Sequence, residues 1–457
     1  MKKNGLLLAI VLLFAGFSAY ADIELSAWGR AVVTPFAFSG DDSSVSAATN
    51  TWDERPRIGF SVQGISESER IGFIADLFWG GGVPGVGDNA KVWVRPFDFL
   101  KITAGWFNED NLRGTVGNTE FTSWLLPKGG YDQDNIFTRF QATTGAHFSI
   151  TPLEGLYIEA AFGSSAIPGS DEQSARSFSN IVNNTIEDVY KAIQVGAGYK
   201  IPEIGFARAQ FVGNNRKQLR PNIYTGIEEG TILMRGLTKN RDSDVLEAAF
   251  QYSGLDGLNV DIGGKFPFEY ETDTSVLMYP ALGNIPQQPV VNADKETVKV
   301  QEAYSVAIGA VWTPSFLDSL SILVRADMSF GGWKEMPGVY RIELAPTYNV
   351  WVNPSYRITS FVRAGLDIGL DIKGKDQWQE PIGRPRENRT VGSDHTDFGI
   401  GAWVELQVGG GTVKTGVLAM IPGNERWEYH ADLADKWKQV YSGDPIITIP
   451  ISFTYSL

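Results

Sequence analysis

The chain has 457 residues, a formal charge of −14 and no cysteine. The acidic balance argues against nucleic acid as a partner. The missing cysteine excludes disulfides, thiolate metal sites, cysteine nucleophiles and the acylated cysteine of a lipoprotein, so membrane attachment must come from the fold itself.

In chain order, Lys2 and Lys3 precede an apolar run from Leu6 to Phe17 and the small-x-small sequence Ala19-Tyr20-Ala21. This pattern predicts a secretory signal peptide over 1–21, too short to span a bilayer, and a mature domain over 22–457. The expected location is the cell outer membrane, with its lipid as a partner.

The mature chain reads as short alternating strands. Leu320, Ile322, Val324, Ala326, Met328 and Phe330 oppose Ser321, Leu323, Arg325, Asp327 and Ser329. Ser360, Val362, Ala364, Leu366, Ile368 and Leu370 oppose Thr359, Phe361, Arg363, Gly365, Asp367 and Asp371; Phe398, Ile400, Ala402, Val404 and Leu406 oppose Asp397, Gly399, Gly401, Trp403 and Glu405. The apolar sides carry no charge, as a lipid-facing strand requires.

Turns recur at Ser66-Glu67-Ser68-Glu69, Arg95-Pro96, Thr151-Pro152, Ile201-Pro202, Gly254 to Gly257, Thr313-Pro314, Asn353-Pro354 and Gly409-Gly410-Gly411. Between them the polar connections 38–55, 80–88, 109–138, 164–187, 214–243, 266–297, 331–339, 372–396 and 422–444 are long. This alternation predicts an all-β, transmembrane up-and-down antiparallel barrel of about 18 strands, with 16 as the alternative, short periplasmic turns and long outer loops. Phe97, Phe99, Tyr157, Phe206, Trp312, Phe316 and Tyr356 are expected in a girdle beside the turns. The last segment, Ile447 to Leu457, alternates to its end, with a bulge expected at Pro450, which lacks a ladder donor.

The predicted lumen carries both signs: Arg30, Arg57, Asp76, Glu247, Arg325, Asp327, Glu343, Arg363 and Asp367 are the candidate pore-lining residues. Charges in low-dielectric walls select ions and orient dipolar solutes. Trp93, Trp351, Phe361 and Trp403 are candidate stacking surfaces for solutes such as sugars. The 109–138 connection, with Asn118, Glu120, Trp124, Lys128, Asp132 and Asp134, is the candidate constriction loop.

Catalytic signals are thin. His147 is expected on the inner face, and Asp394-His395 and Tyr429-His430 on outer loops. Gly80-Gly81-Gly82-Val83-Pro84-Gly85 leads into a strand rather than the helix a dinucleotide site needs. Residues Trp427 to Tyr441 suggest a short helix. The expectation is no catalytic residues, no cofactor and no metal, since no metal-ligand spacing stands out along the chain.

The alternating final strand and the turn pattern resemble the bacterial outer-membrane porin superfamily, although this chain ends in Leu457 rather than an aromatic residue. The Val92-Trp93-Val94-Arg95-Pro96 unit with Gly105-Trp106-Phe107-Asn108-Glu109-Asp110 is similar to spirochaete-type porin-like proteins. The resemblance implies a passive channel for small hydrophilic solutes, often as a homotrimer. The alternatives are a surface adhesin or structural barrel with an occluded lumen and, third, a barrel enzyme.

Overall fold

A computed structural model describes residues 21–39, 42–49, 57–80, 83–109, 111–112, 140–164, 193–213, 244–274, 296–336, 340–374, 376–379, 389–391, 394–423, 426–429, 437–441 and 444–457. The wall strands are β1 Ala21–Ser39, β2 Arg57–Ser66, β3 Ile71–Gly80, β4 Val83–Phe97, β5 Leu100–Glu109, β6 Phe140–Leu153, β7 Leu156–Ser164, β8 Gln194–Ile201 and β9 Gly205–Val212. They continue as β10 Val245–Leu255, β11 Leu258–Pro267, β12 Tyr304–Trp312, β13 Leu320–Phe330, β14 Thr347–Arg357, β15 Val362–Lys373, β16 His395–Val408, β17 Gly411–Ile421 and β18 Ile446–Ser456.

Each strand pairs antiparallel with the next, and β18 returns to β1, giving a closed barrel of 18 strands. Closure satisfies the ladder on both sides of every strand, the condition for backbone to cross hydrocarbon. The Ala21 to Arg30 part of β1 pairs with β2, while Trp28 to Ser39 pairs with β18. Where β2 ends, the strand Asp42–Thr49 folds back to take the vacated edge of β1.

The expected bulge lies beside Pro450. Val33 faces Ile451 and Phe36 faces Ile449, so β1 carries one extra residue across Thr34 and Pro35. The insertion reverses the facing of β1: Val32 is buried, whereas Phe36 and Phe38 are exposed on the outside.

The predicted faces are observed. On β16, Phe398, Ile400, Val404 and Leu406 are exposed, while Asp397 and Trp403 on the other face are buried. On β15, Leu366 is exposed and Asp367 is 0 % exposed. A water-soluble protein hides its apolar face; this one displays it on the outside and keeps its charges within.

At the short-turn end, Gly257 has φ 70°, and a Cβ there would lie 1.9 Å from the Thr313 carbonyl oxygen, so this turn requires glycine. Phe97 and Phe99 stack at 5.3 Å, and Trp312 meets Phe316 edge-on at 6.2 Å. These residues and Tyr356 are exposed, as a girdle requires. Tyr157 and Phe206 do not join it. Their parity places them with Glu159 and Ala161, and with Arg208 and Gln210, on the inner wall, where they pack against the buried Phe107, Leu112, Ala161 and Ala249.

Besides the Asp42–Thr49 strand, the long-connection end differs from the sequence reading in three further places. Gly80 pairs directly with Val83, so the expected 80–88 loop shrinks to a two-residue connection. The connections following β11, β13 and β15 contribute Tyr270–Thr274, Glu296–Gln301, Trp333–Met336, Tyr340–Glu343, Asp376–Gln379 and Arg389–Val391 to one six-stranded rim sheet. The predicted helix after Trp427 is a hairpin, Arg426–Tyr429 with Trp437–Tyr441, consistent with the strand preference of its aromatic and β-branched residues.

Candidate pore lining

The inner wall is a set of polar rows running across strands. Gln210 of β9, Glu247 of β10 and Lys265 of β11 are successive register partners. Gln210 donates to Glu247 at 2.5 Å, and Lys265 Nζ lies 3.8 Å from the same carboxylate. One step nearer the turns, Arg208 reaches across β10 to pair with Asp261 of β11. Ala249 and Gly263, paired in the ladder between them, are small enough to let the guanidinium pass.

A second row consists of Asp327, Asn349, Asp371 and Asp397, each directly opposite the next on β13 to β16. Asn349 donates to Asp327 at 3.1 Å, and His395 lies 3.0 Å from Asp371. Nearer the turns, Asp367 accepts from Asn353 and from the Trp403 indole, both at 2.9 Å. Arg363, Glu405 and Lys414 follow in register with alternating sign. On the opposite sector, Lys91 pairs with Glu109 at 2.6 Å and His147 with Glu159 at 3.2 Å. Buried charges persist only with such partners, so this wall is a network rather than a scatter of ions.

Of the predicted pore-lining residues, Glu247, Arg325 and Asp367 are buried on the inner wall; Arg30, Asp76, Asp327 and Arg363 are half-buried there. Asp76 accepts from Ser61 at 2.5 Å and Asn89 at 2.8 Å, and Arg363 donates to Ser355 at 2.7 Å. Arg57 stands opposite Arg30 in the β1–β2 ladder, and its side chain lies outside the described residues. Glu343 is misplaced by the sequence reading. It lies in the rim sheet, 3.4 Å from Arg341, because the connection after β13 extends past its predicted end at 339.

The stacking candidates need correction too. Phe361 is in the turn joining β14 to β15 and is 57 % exposed; β15 starts one residue later. Trp93, Trp351 and Trp403 are inward, but each faces a glycine directly across the ladder: Gly72, Gly369 and Gly365. A Cβ at Gly72 or Gly365 would come within 2.3 Å of the indole, and one at Gly369 within 2.6 Å. The rings therefore lie against the wall. Lys414 Nζ sits 3.7 Å from the Trp403 ring centroid, and Arg95 and Lys101 lie 5.2 and 5.4 Å from that of Trp93. Trp351 is 6 % and Trp403 3 % exposed, too little for a sugar to stack on either.

His147 is enclosed on the inner wall, as expected. His395 is not on a loop: it opens β16 and pairs with Asp371 of β15 instead of its neighbour Asp394. His430 lies outside the described residues, as do Asn118, Glu120, Trp124, Lys128, Asp132 and Asp134 of the candidate constriction loop. Just before that stretch, Leu112 is 1 % exposed, and its methyl groups fill the hollows over Gly196 and Gly198 of β8. Leu112, three residues beyond β5, therefore lies on the lumen side against β8. Sequence reading missed the Lys91, Arg208 and Lys414 partnerships: Lys91 and Lys414 each meet a group on the adjoining strand, and Arg208 one on the strand beyond it, so each depends on cross-strand register.

No family model and no curated protein matches the chain. Solved structures with similarity include the outer membrane protein OmpT of Vibrio cholerae, at 10 % identity and TM-score 0.46 over 96 % of this chain and 100 % of that one. The anion-selective porin of Comamonas acidovorans has 8 % identity and TM-score 0.45 over the same shares. OmpF of Salmonella typhi has 11 % identity and TM-score 0.38, covering 96 % of this chain and 97 % of that one. Strand number, closure and face chemistry, taken from the chain's own ladders, make this protein a transmembrane up-and-down barrel of porin-like architecture.

Proposed function

We propose that the chain is an outer-membrane porin, a passive water-filled channel for small hydrophilic solutes such as ions, sugars or similar nutrients. One observation carries this reading: β13 to β16 expose uncharged apolar side chains outward and carry Arg325, Asp327, Arg363, Asp367, Asp371 and Asp397 inward. A wall that is oily outside and charged inside suits water within and lipid around. We read it as a channel and not an enzyme: His147, at 1 % exposure, is closed off from any substrate. The resemblance noted in the sequence supports a homotrimer as the working assembly. Refolded protein in planar bilayers should show stepwise, ohmic conductance; folded protein that inserts and stays silent would refute the reading.

A second reading, a surface adhesin or structural barrel with an occluded lumen, is favoured by the placement of Leu112 on the lumen side and by the 0 % exposure of Glu247, Asp367 and Asp397. It predicts conductance only after the segment 110–139 is deleted.

A further inference from the structure

Asp371, His395 and Asp397 form a cluster on the inner wall near the long-loop end of β15 and β16. One donor atom from each residue lies within 4.8 Å of the others, and His395 Nε2 is 3.0 Å from Asp371 Oδ2. Asp371 and Asp397 are direct partners in the ladder, and His395 lies two residues before Asp397 on the same face. Both aspartates are buried, at 3 % and 0 % exposure. A fourth oxygen lies at the same level: Asn349 stands directly opposite Asp371, is 8 % exposed, and its Oδ1 has no hydrogen-bond partner.

We propose that these residues bind a divalent transition-metal ion of the zinc type, through Asp371, His395 and Asp397, with Asn349 as a neighbouring oxygen donor. Asp397 accepts the Gly423 N–H, Asp371 meets the His395 ring, and Lys373 stands opposite His395 in the ladder; a divalent ion held between the two carboxylates adds a positive charge where two acids face each other away from water. An imidazole in the set favours zinc and its neighbours in the first transition row, whereas calcium takes oxygen ligands alone. A zinc ion about 2.0 to 2.2 Å from each donor holds its ligands roughly 3 to 4 Å apart, against donor atoms that here lie within 4.8 Å of one another. All three ligands are on paired strands, Asp371 on β15 and His395 and Asp397 on β16, so the ladder fixes the backbone of the site.

The site fits no linear motif, since two of its ligands come from one strand and the third from the strand before. It is independent of whether solutes permeate, and binding to the folded chain tests it directly. Zinc ion alone, titrated calorimetrically into refolded full-length protein washed with chelator in detergent, should show one saturable site. Asp397→Asn should abolish it, and His395→Gln should weaken it by about tenfold or more. Calcium should bind far more weakly than zinc. Absence of saturable zinc binding in the wild-type protein would overturn the proposal. So would binding unchanged in His395→Gln, which would place the ion at another histidine, or equal affinity for calcium and zinc, which would remove the imidazole from the site. Should Asp397→Asn fail to recover strand circular dichroism, the His395→Gln and calcium arms decide the matter.

Discussion

Trp403 lies across Gly365: the two are opposite one another in the β15–β16 ladder, and a Cβ on residue 365 would fall 2.3 Å from the indole Cζ2. The same ring donates to Asp367 and carries Lys414 on its face. Gly365→Val should therefore push the indole off the wall and break the Asp367 hydrogen bond. We expect a loss of about 1 to 3 kcal/mol, read as a lower urea midpoint for unfolding in vesicles, with a shift in tryptophan emission. An unchanged midpoint would mean that the ring has room elsewhere.

Arg208 and Asp261 bridge over β10 with almost no exposure. Asp261→Ala leaves the guanidinium buried without its carboxylate, and should cost about 3 to 5 kcal/mol. Replacing both by apolar residues of similar size, Arg208→Met with Asp261→Leu, should recover most of that loss. Equilibrium unfolding of the single and double variants checks the difference.

Ile400 is on the lipid side of β16, with Ile368 and Ala419 as its register partners. Ile400→Arg should reduce folding stability in vesicles by about 2 to 4 kcal/mol. Full stability in this variant would show that the face does not meet hydrocarbon.

Arg325 and Arg363 are positive groups among the acids of the inner wall. Arg325→Ala and Arg363→Ala should each move the reversal potential in a salt gradient toward cation preference, and the double variant should move it further. The half-buried Arg363 should show the larger single effect, since Arg325 is 7 % exposed. A reversal potential unmoved by either change would separate these residues from the permeation path.

How much of this was legible in the sequence follows from which forces are local. Alternation is local, so the outward Phe398, Ile400 and Val404 and the inward Asp397 and Trp403 could be assigned from β16 alone. Turn chemistry is local too, and Gly257 marks a corner whose positive φ no side chain tolerates well. Cross-strand register is not local. Nothing near Trp351 in sequence announces Gly369, and nothing near His395 announces Asp371, its partner from a strand that ends at Lys373. Tyr157 and Phe206 were misread because proximity to a turn says how deep a residue lies, whereas parity decides which wall it faces. Glu343 was misread because the connection after β13 has strands of its own, which the short-and-long rhythm counted as loop and wall. The cluster at Asp371, His395 and Asp397 is hidden in the sequence for the same reason: its donors converge across the ladder and have no ligand spacing along the chain.

The extra residue in β1 acts as a phase marker for the seam. Phe36 and Phe38 face outward only because Thr34 and Pro35 together occupy the stretch opposite Pro450. Deleting one of the two would reverse the polarity of every side chain beyond it, putting both phenyl rings into the lumen and Ala37 outside. The first and last strands can thus join in only one alignment without that inversion. Barrel closure in this protein is consequently a test of length as well as of pairing, made at the one junction where the chain must find its own beginning.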